Sequence, residues 1–281
     1  MLGAVLLALA ALADCAPAAP VAAEGQARGP ARRIVSLDYC ADQYLLKLVP
    51  RERILAVSPD ADRDFSYMRK AARGLRQVAP RAEDVLVLKP DLVIRSYGGG
   101  PDAAAFFRRA GVPVLQLGPS ADLGDVRAEV VRVAEQLAVP ERGQKLAAQM
   151  DRRLAALRTE ADAARGPERE ALYMTPGGVT TGPGSLVAEM LAAAGLRNFQ
   201  REPGWHPLPL ERLAYERPDI VAAAFFGSAT GTPDGWSAAR HPVARAQLSP
   251  ERVVRLDGAW TACGGWFVLD AIEALARGPG R

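Results

Sequence analysis

The side chains best suited to chemistry in this sequence are aromatic rather than acidic or basic. Tyr39, Tyr67, Tyr97, Trp205, Trp236 and Trp260 fall in segments that read as loops, with Phe65, His206 and Phe226 near them, and all four tryptophans lie between positions 205 and 266. Such rings offer broad, partly polar faces to a flat ligand. Any one of them is readily explained by core packing, but loops bury little, so several ring-bearing loops point to a binding surface. Cys40 follows Tyr39, and Arg95 stands two residues before Tyr97 at the end of an apolar run. As a cleft cation, Arg95 would pair with a carboxylate or hydroxamate oxygen, a phosphate or an amide edge. As an ordinary strand-end arginine it would be solvated, and the sequence leaves both readings open. The expected ligand-binding set is therefore Tyr39, Cys40, Tyr67, Arg95, Tyr97, Trp205, Trp236 and Trp260.

The same residues argue against catalysis. The only histidines are His206 and His241, too few for a metal first shell. Gly182-Pro183-Gly184-Ser185 is not a Gly-x-Ser-x-Gly elbow, and no Ser-Asp-His order surrounds it. No phosphate-binding or dinucleotide glycine fingerprint occurs. An exported hydrolase and a direct metal-ion binder remain as rivals, but the expectation is a binding protein with no catalytic residue, cofactor or resident metal. Formal charge is only +3, with basic and acidic residues interleaved and no Lys/Arg block, which excludes a nucleic-acid partner.

The elements that must position these residues include a repeat. Glu83 to Val93 and Glu211 to Val221 read alike 128 positions apart: a Glu, seven residues on a Pro-Asp pair, then an apolar β-forming run. The unit is a short helix opened by an acid, a proline stop and a buried strand. Around it, strands (34–37, 54–57, 91–95, 114–117, 171–174, 219–225, 253–256) alternate with helices, the pattern of parallel α/β lobes. From Glu141 to Arg165, Leu146, Met150, Leu154, Leu157 and Ala161 recur at helical spacing, predicting one helix of ~37 Å. The expected organisation is a leader and Pro/Ala/Gly segment at 1–30, an α/β lobe at 31–140, a rigid linker helix at 141–165 and a second α/β lobe at 166–281. Two lobes imply a cleft, and ligands favour the carboxyl ends of α/β strands and domain junctions.

Met1 to Ala13 is wholly apolar and too short to span a bilayer, which fits the apolar region of an export signal. No Lys or Arg precedes it, so the true start is expected upstream. Leu12-Ala13-Asp14-Cys15 is similar to a lipoprotein box, but Asp14 stands where a small residue belongs, so a soluble exported chain is expected over one anchored at Cys15. That leaves Cys40 and Cys263. An oxidising compartment permits a bridge, while their spacing alone favours two buried thiols. From opposite lobes they would line the ligand site as thiols or join across it.

Taken in order, Arg33-Ile34-Val35-Ser36-Leu37, Leu88-Lys89-Pro90-Asp91-Leu92-Val93-Ile94, Gly184-Ser185-Leu186 with Glu189, Gly195 and Asn198, and Arg217-Pro218-Asp219-Ile220-Val221 carry a resemblance. From about Arg32 to Ala276 the chain resembles the substrate-binding proteins of ABC importers for ferric siderophores and cobalamin. The resemblance implies two Rossmann-like lobes on one long helix, with an iron or cobalt chelate in the cleft. It also implies a monomeric periplasmic carrier that delivers its ligand to an inner-membrane permease and its ATPase. Glu83 and Glu211 by themselves read as helix-dipole partners; the resemblance gives them the role of docking one lobe each on the permease. Cobalamin binders of this family place an aromatic six residues before each such Glu; Trp205 fits, whereas Gln77 stands in the first lobe. Haem remains an alternative ligand, with Tyr39 or Tyr97 placed to ligate iron.

Overall fold

The computed structural model describes residues 29–163, 167–226 and 237–280. The leader, Cys15 and Trp236 therefore lie outside the described residues. The first lobe runs β1 (Ile34–Ser36), α1 (Tyr39–Leu48), β2 (Ile54–Ala56), α2 (Arg69–Ala72), α3 (Ala82–Leu86), β3 (Leu92–Arg95), α4 (Ala103–Arg109), β4 (Val114–Gln116) and α5 (Leu123–Gln136). Helix α6 (Pro140–Ala163) follows. The second lobe contains β5 (Arg169–Met174), β6 (Val179–Thr181), α7 (Leu186–Ala193), β7 (Leu196–Asn198), β8 (Trp205–Pro207), α8 (Leu210–Tyr215), β9 (Ile220–Phe226), α9 (Pro242–Arg245), β10 (Val253–Asp257) and α10 (Val268–Arg277). Two parallel four-stranded sheets result, ordered β2-β1-β3-β4 and β10-β9-β5-β7. These are two Rossmann-like α/β lobes joined by a single long helix.

Alternation along the strands builds the layers, because successive side chains face opposite sides of a sheet. In β1 and β3, Ile34 and Ile94 face a core shared with α1, α5, α6, α7 and α10, which also takes Ala171 and Tyr173 from β5. Val35 and Val93 face a separate cluster formed with Val85, Leu88 and Phe107. Leu172, Met174 and Val221 do the same in the second lobe. One apolar core thus runs continuously through both lobes and the connecting helix. Helix α6 lies close against α5: a Cβ on Gly143 would stand 2.4 Å from Ala134 Cβ, so only glycine permits this approach.

The repeat has a structural meaning that its residues did not reveal. Pro90 and Pro218 are both buried ahead of an interior strand, β3 or β9. The aspartate after each proline then accepts from the chain entering the neighbouring strand. Asp91 takes Arg32 N–H at 2.7 Å and Arg33 N–H at 2.9 Å, and Asp219 takes Glu170 N–H at 2.8 Å. Each Asp satisfies backbone donors at a strand entrance, where no ladder partner is yet available.

Ser66 is buried and accepts from Gln43 Nε2 at 2.9 Å, and α2 starts at Arg69. Gln77 makes a single bridge to Val57. One local expectation is corrected. Trp205 and His206 are not in a loop but in β8, paired antiparallel with Thr181 and Thr180 of β6. The β-branched run Val179-Thr180-Thr181 was the available signal, masked by its glycine neighbours.

Candidate functional site

The carboxyl ends of the first lobe's strands face the second lobe across a cavity of about 470 Å³. Cys40, Tyr44, Ser96 and residues 117–121 form one wall; residues 184–187, Met190, Trp205, Thr261, Gly264 and Val268 form the other. No charged side chain lines it among the described residues. Its polar groups are the hydroxyls of Ser96, Ser120, Ser185 and Thr261, the Tyr44 phenol and exposed backbone. Ser185 caps α7, accepting from Ala188 N–H at 3.2 Å, which fixes the start of that helix at the cavity edge.

Cys40 and Cys263 are joined, with Cα atoms 5.6 Å apart. The spacing-based expectation of two free buried thiols is thereby corrected: both belong to the cavity wall, and the bridge links α1 of the first lobe to the segment before α10 of the second. Nearby, the Tyr44 hydroxyl reaches Gly264 O at 3.2 Å, a second interlobe tie.

Beside Cys40 and Ser96 sits an aromatic cluster. Tyr39 meets Phe65 edge-on at 5.0 Å between centroids and Tyr97 at 6.1 Å, and Tyr97 is 54% exposed. Sequence reasoning missed the residue that organises it. Asp38 caps α1 by accepting from Ala41 N–H at 2.9 Å. Its other oxygen accepts from the backbone of Ser96 (2.7 Å), Tyr97 (3.1 Å) and Gly98 (2.9 Å). An Asp just before a helix is a readable cap signal, but its loop partners, some sixty positions on, are not. Gly98 makes the approach possible, since a Cβ there would lie 2.4 Å from Leu37 O. Burial, reinforced by nearby Asp38 and Asp60, raises the Tyr39 phenol above its ordinary pKa. Tyr97 is also raised, first by burial and then by Tyr39 and the same acids. Both are neutral hydroxyls at physiological pH.

The remaining expected residues are dispersed. Trp205, 59% exposed, faces the cavity and meets buried Tyr173 edge-on at 6.3 Å. Arg95 is buried at 6% exposure and does not line the cavity. Two residues after Val93, it shares the strand face covered by α3 and α4, and its Nε has no hydrogen-bond partner. Tyr67 packs flat on Phe267, with centroids 4.7 Å apart, and belongs to the lobe junction. With Trp260 it lines a shallower recess of about 330 Å³ between the lobes. Trp266 is core, 3% exposed. Among the described residues no group of three or more His, Cys, Asp or Glu converges as a metal site. Glu83 and Glu211 are exposed on α3 and α8, and neither forms an ion pair among the described residues.

Two parallel lobes, a rigid connector and an interlobe cavity define a carrier that binds ligand between its lobes. The chain belongs to the periplasmic binding protein family, whose model matches residues 34–226. Curated protein sequences give no match. Among solved structures it is similar to the periplasmic heme-binding protein RhuT from Roseiflexus sp. RS-1 in apo form. That match has 26% identity over 88% of this chain and 97% of that one, with a TM-score of 0.67. It is also similar to the periplasmic heme-binding protein BhuT in complex with two hemes (28%, 89% and 99%, TM-score 0.67). A third is the periplasmic vitamin B12-binding protein BtuF of Vibrio cholerae (25%, 88% and 96%, TM-score 0.64). No described helix is long and apolar enough to cross a membrane.

Proposed function

We propose that this chain captures a ferric-siderophore or cobalamin-type metal chelate in the interlobe cavity and delivers it to an ABC permease of the inner membrane. The carrying observation is the cavity itself: it lies between the lobes, is walled by apolar and hydroxyl groups with Trp205 at one side, and has no charged side chain among its described lining. Such a wall favours a broad ligand with a neutral, amide-rich rim over a highly charged one, because an ion buried there would lose hydration without a partner. Cys40 and Trp205 line that surface and Tyr39 and Tyr97 stand beside it; Trp260 lines the neighbouring recess with Tyr67, and Trp236 is added from sequence. Arg95 and Tyr67 support it from behind. The protein is read as a monomeric periplasmic carrier, not an enzyme, with lobes 31–140 and 166–281 on a linker at 141–165 and with Glu83 and Glu211 as the permease contacts.

Haem is the second reading, favoured by the likeness to RhuT and BhuT. Native mass spectrometry of the protein purified from its own host separates these. A non-covalent adduct carrying cobalt or a siderophore-bound iron supports the proposal, a haem adduct supports the second reading, and an adduct without metal overturns both.

A further inference from the structure

We infer that Val87 and Tyr215 are paired apolar anchors, one per lobe, that seat the protein on its membrane partner beside Glu83 and Glu211. This rests on the reading that those acids dock on a permease. Val87 is 78% exposed and Tyr215 91% exposed, the two most exposed large apolar side chains of the described structure. They occupy the same place in the repeat, each four residues after its glutamate and therefore on the same face of a helical turn. Val85 and Leu213, at the matching inward position, are both buried. Burial thus fixes the orientation of both units, and the outward face of each presents an acid next to an apolar group.

The acids point to the chemistry of the occupant. Neighbouring Asp84 is paired with Arg81 at 2.6 Å, and Glu216 with Arg212 at 2.7 Å. Glu83 and Glu211, by contrast, have no such partner among the described residues. Unpaired carboxylates repel an anionic lipid surface, so the complementary surface is a protein that supplies cations. Because the patch occurs twice in corresponding positions, that protein presents its socket twice: an arginine or lysine beside an apolar recess, on each half of a two-fold dimer. A permease built from two like subunits meets this requirement. The apolar side chain would give the contact a component that salt does not screen.

The test uses the full mature chain and the importer of the producing organism in lipid nanodiscs, measuring their dissociation constant at low and high salt. Tyr215→Ser should weaken binding about tenfold and Val87→Ser about threefold, as expected for one large and one small anchor. Those losses should persist at high salt, with ligand affinity and melting temperature unchanged. Glu83→Gln and Glu211→Gln should also weaken binding, but by a factor that shrinks as salt rises. If the glutamine variants weaken binding and the serine variants do not, the anchors are overturned while the docking reading stands. If neither pair matters, the docking reading fails and the anchors fail with it. Self-association of the wild type that the serine variants abolish, with importer binding unaltered, would assign the patches to a second copy and overturn the inference.

Discussion

The Tyr67 hydroxyl donates a 2.7 Å hydrogen bond to Asp270 Oδ2, fastening the first lobe to the last helix of the second. Arg153 of the connecting helix completes the junction, reaching Asp270 at 2.5 Å and Glu273 at 2.6 Å. Burial first, then the bond to Asp270, keeps the Tyr67 phenol protonated and donating. Lobes, connector and core are therefore tied together behind the cavity as well as by the bridge at its wall.

With those ties, ligand binding should rock the lobes by only a few degrees. Small-angle scattering curves with and without ligand should nearly superimpose. Tyr67→Phe should cost about 1 kcal/mol, since the group is partly exposed and Arg153 still satisfies Asp270. A large fall in radius of gyration on ligand addition would show that the ties do not hold.

The bridge between Cys40 and Cys263 spans 223 positions. Thiol titration of the denatured, non-reduced protein should find neither cysteine reactive. Replacing both with serine should lower stability by about 2–5 kcal/mol, because closing so long a loop restricts the unfolded chain. Two reactive thiols in protein taken from the oxidising compartment would contradict the structure directly.

Asp42 provides a pH signature. It is fully buried, with Ser58 donating from both N–H (3.1 Å) and Oγ (2.5 Å). Burial outweighs those bonds and pushes its pKa from 3.8 up to about 6. The folded state therefore holds a proton that the unfolded state has lost, and the stability this contributes declines as pH rises through 3.8 to about 6. Asp42→Asn should flatten that decline, so its melting temperature should gain on the wild type across the window. Parallel melting profiles would refute the assignment.

Asp38→Ala should remove one helix cap and strand three backbone donors of residues 96–98, costing about 2–4 kcal/mol. The loss of ligand affinity should exceed that of Asp38→Asn, which keeps one accepting oxygen for either the cap or the loop. Equal affinities for the two variants would mean that the Tyr97 loop does not shape the site.

Fold and connector were legible because their signals are local: period-two runs, helical spacing from Leu146 to Leu157, and a repeat punctuated by Pro90 and Pro218. The site was legible only in part. Tyr39 and Cys40 come to the cavity or its rim because they follow a strand end, a rule of topology, whereas Trp205 reaches it from the β6–β8 pair that its sequence presented as a loop. Arg95 does not, because alternation along β3 turns it to the helix-covered face, and one residue of register decides which face a side chain joins. The Cys40–Cys263 bridge, the loop contacts of Asp38 and the link from Tyr67 to Asp270 depend on where distant segments meet. Spacing in one chain does not encode that.

The most direct test is a calorimetric titration of the purified mature protein with cobalamin, ferric hydroxamates, ferric catecholates and haem, followed in parallel by tryptophan emission. Saturable one-site binding of a cobalamin or ferric siderophore is expected, with quenching of emission and a marked loss of affinity in Trp205→Ala but not in Trp266→Ala of comparable fold. Absence of heat and of quenching across the whole panel would contradict capture of a metal chelate between the lobes.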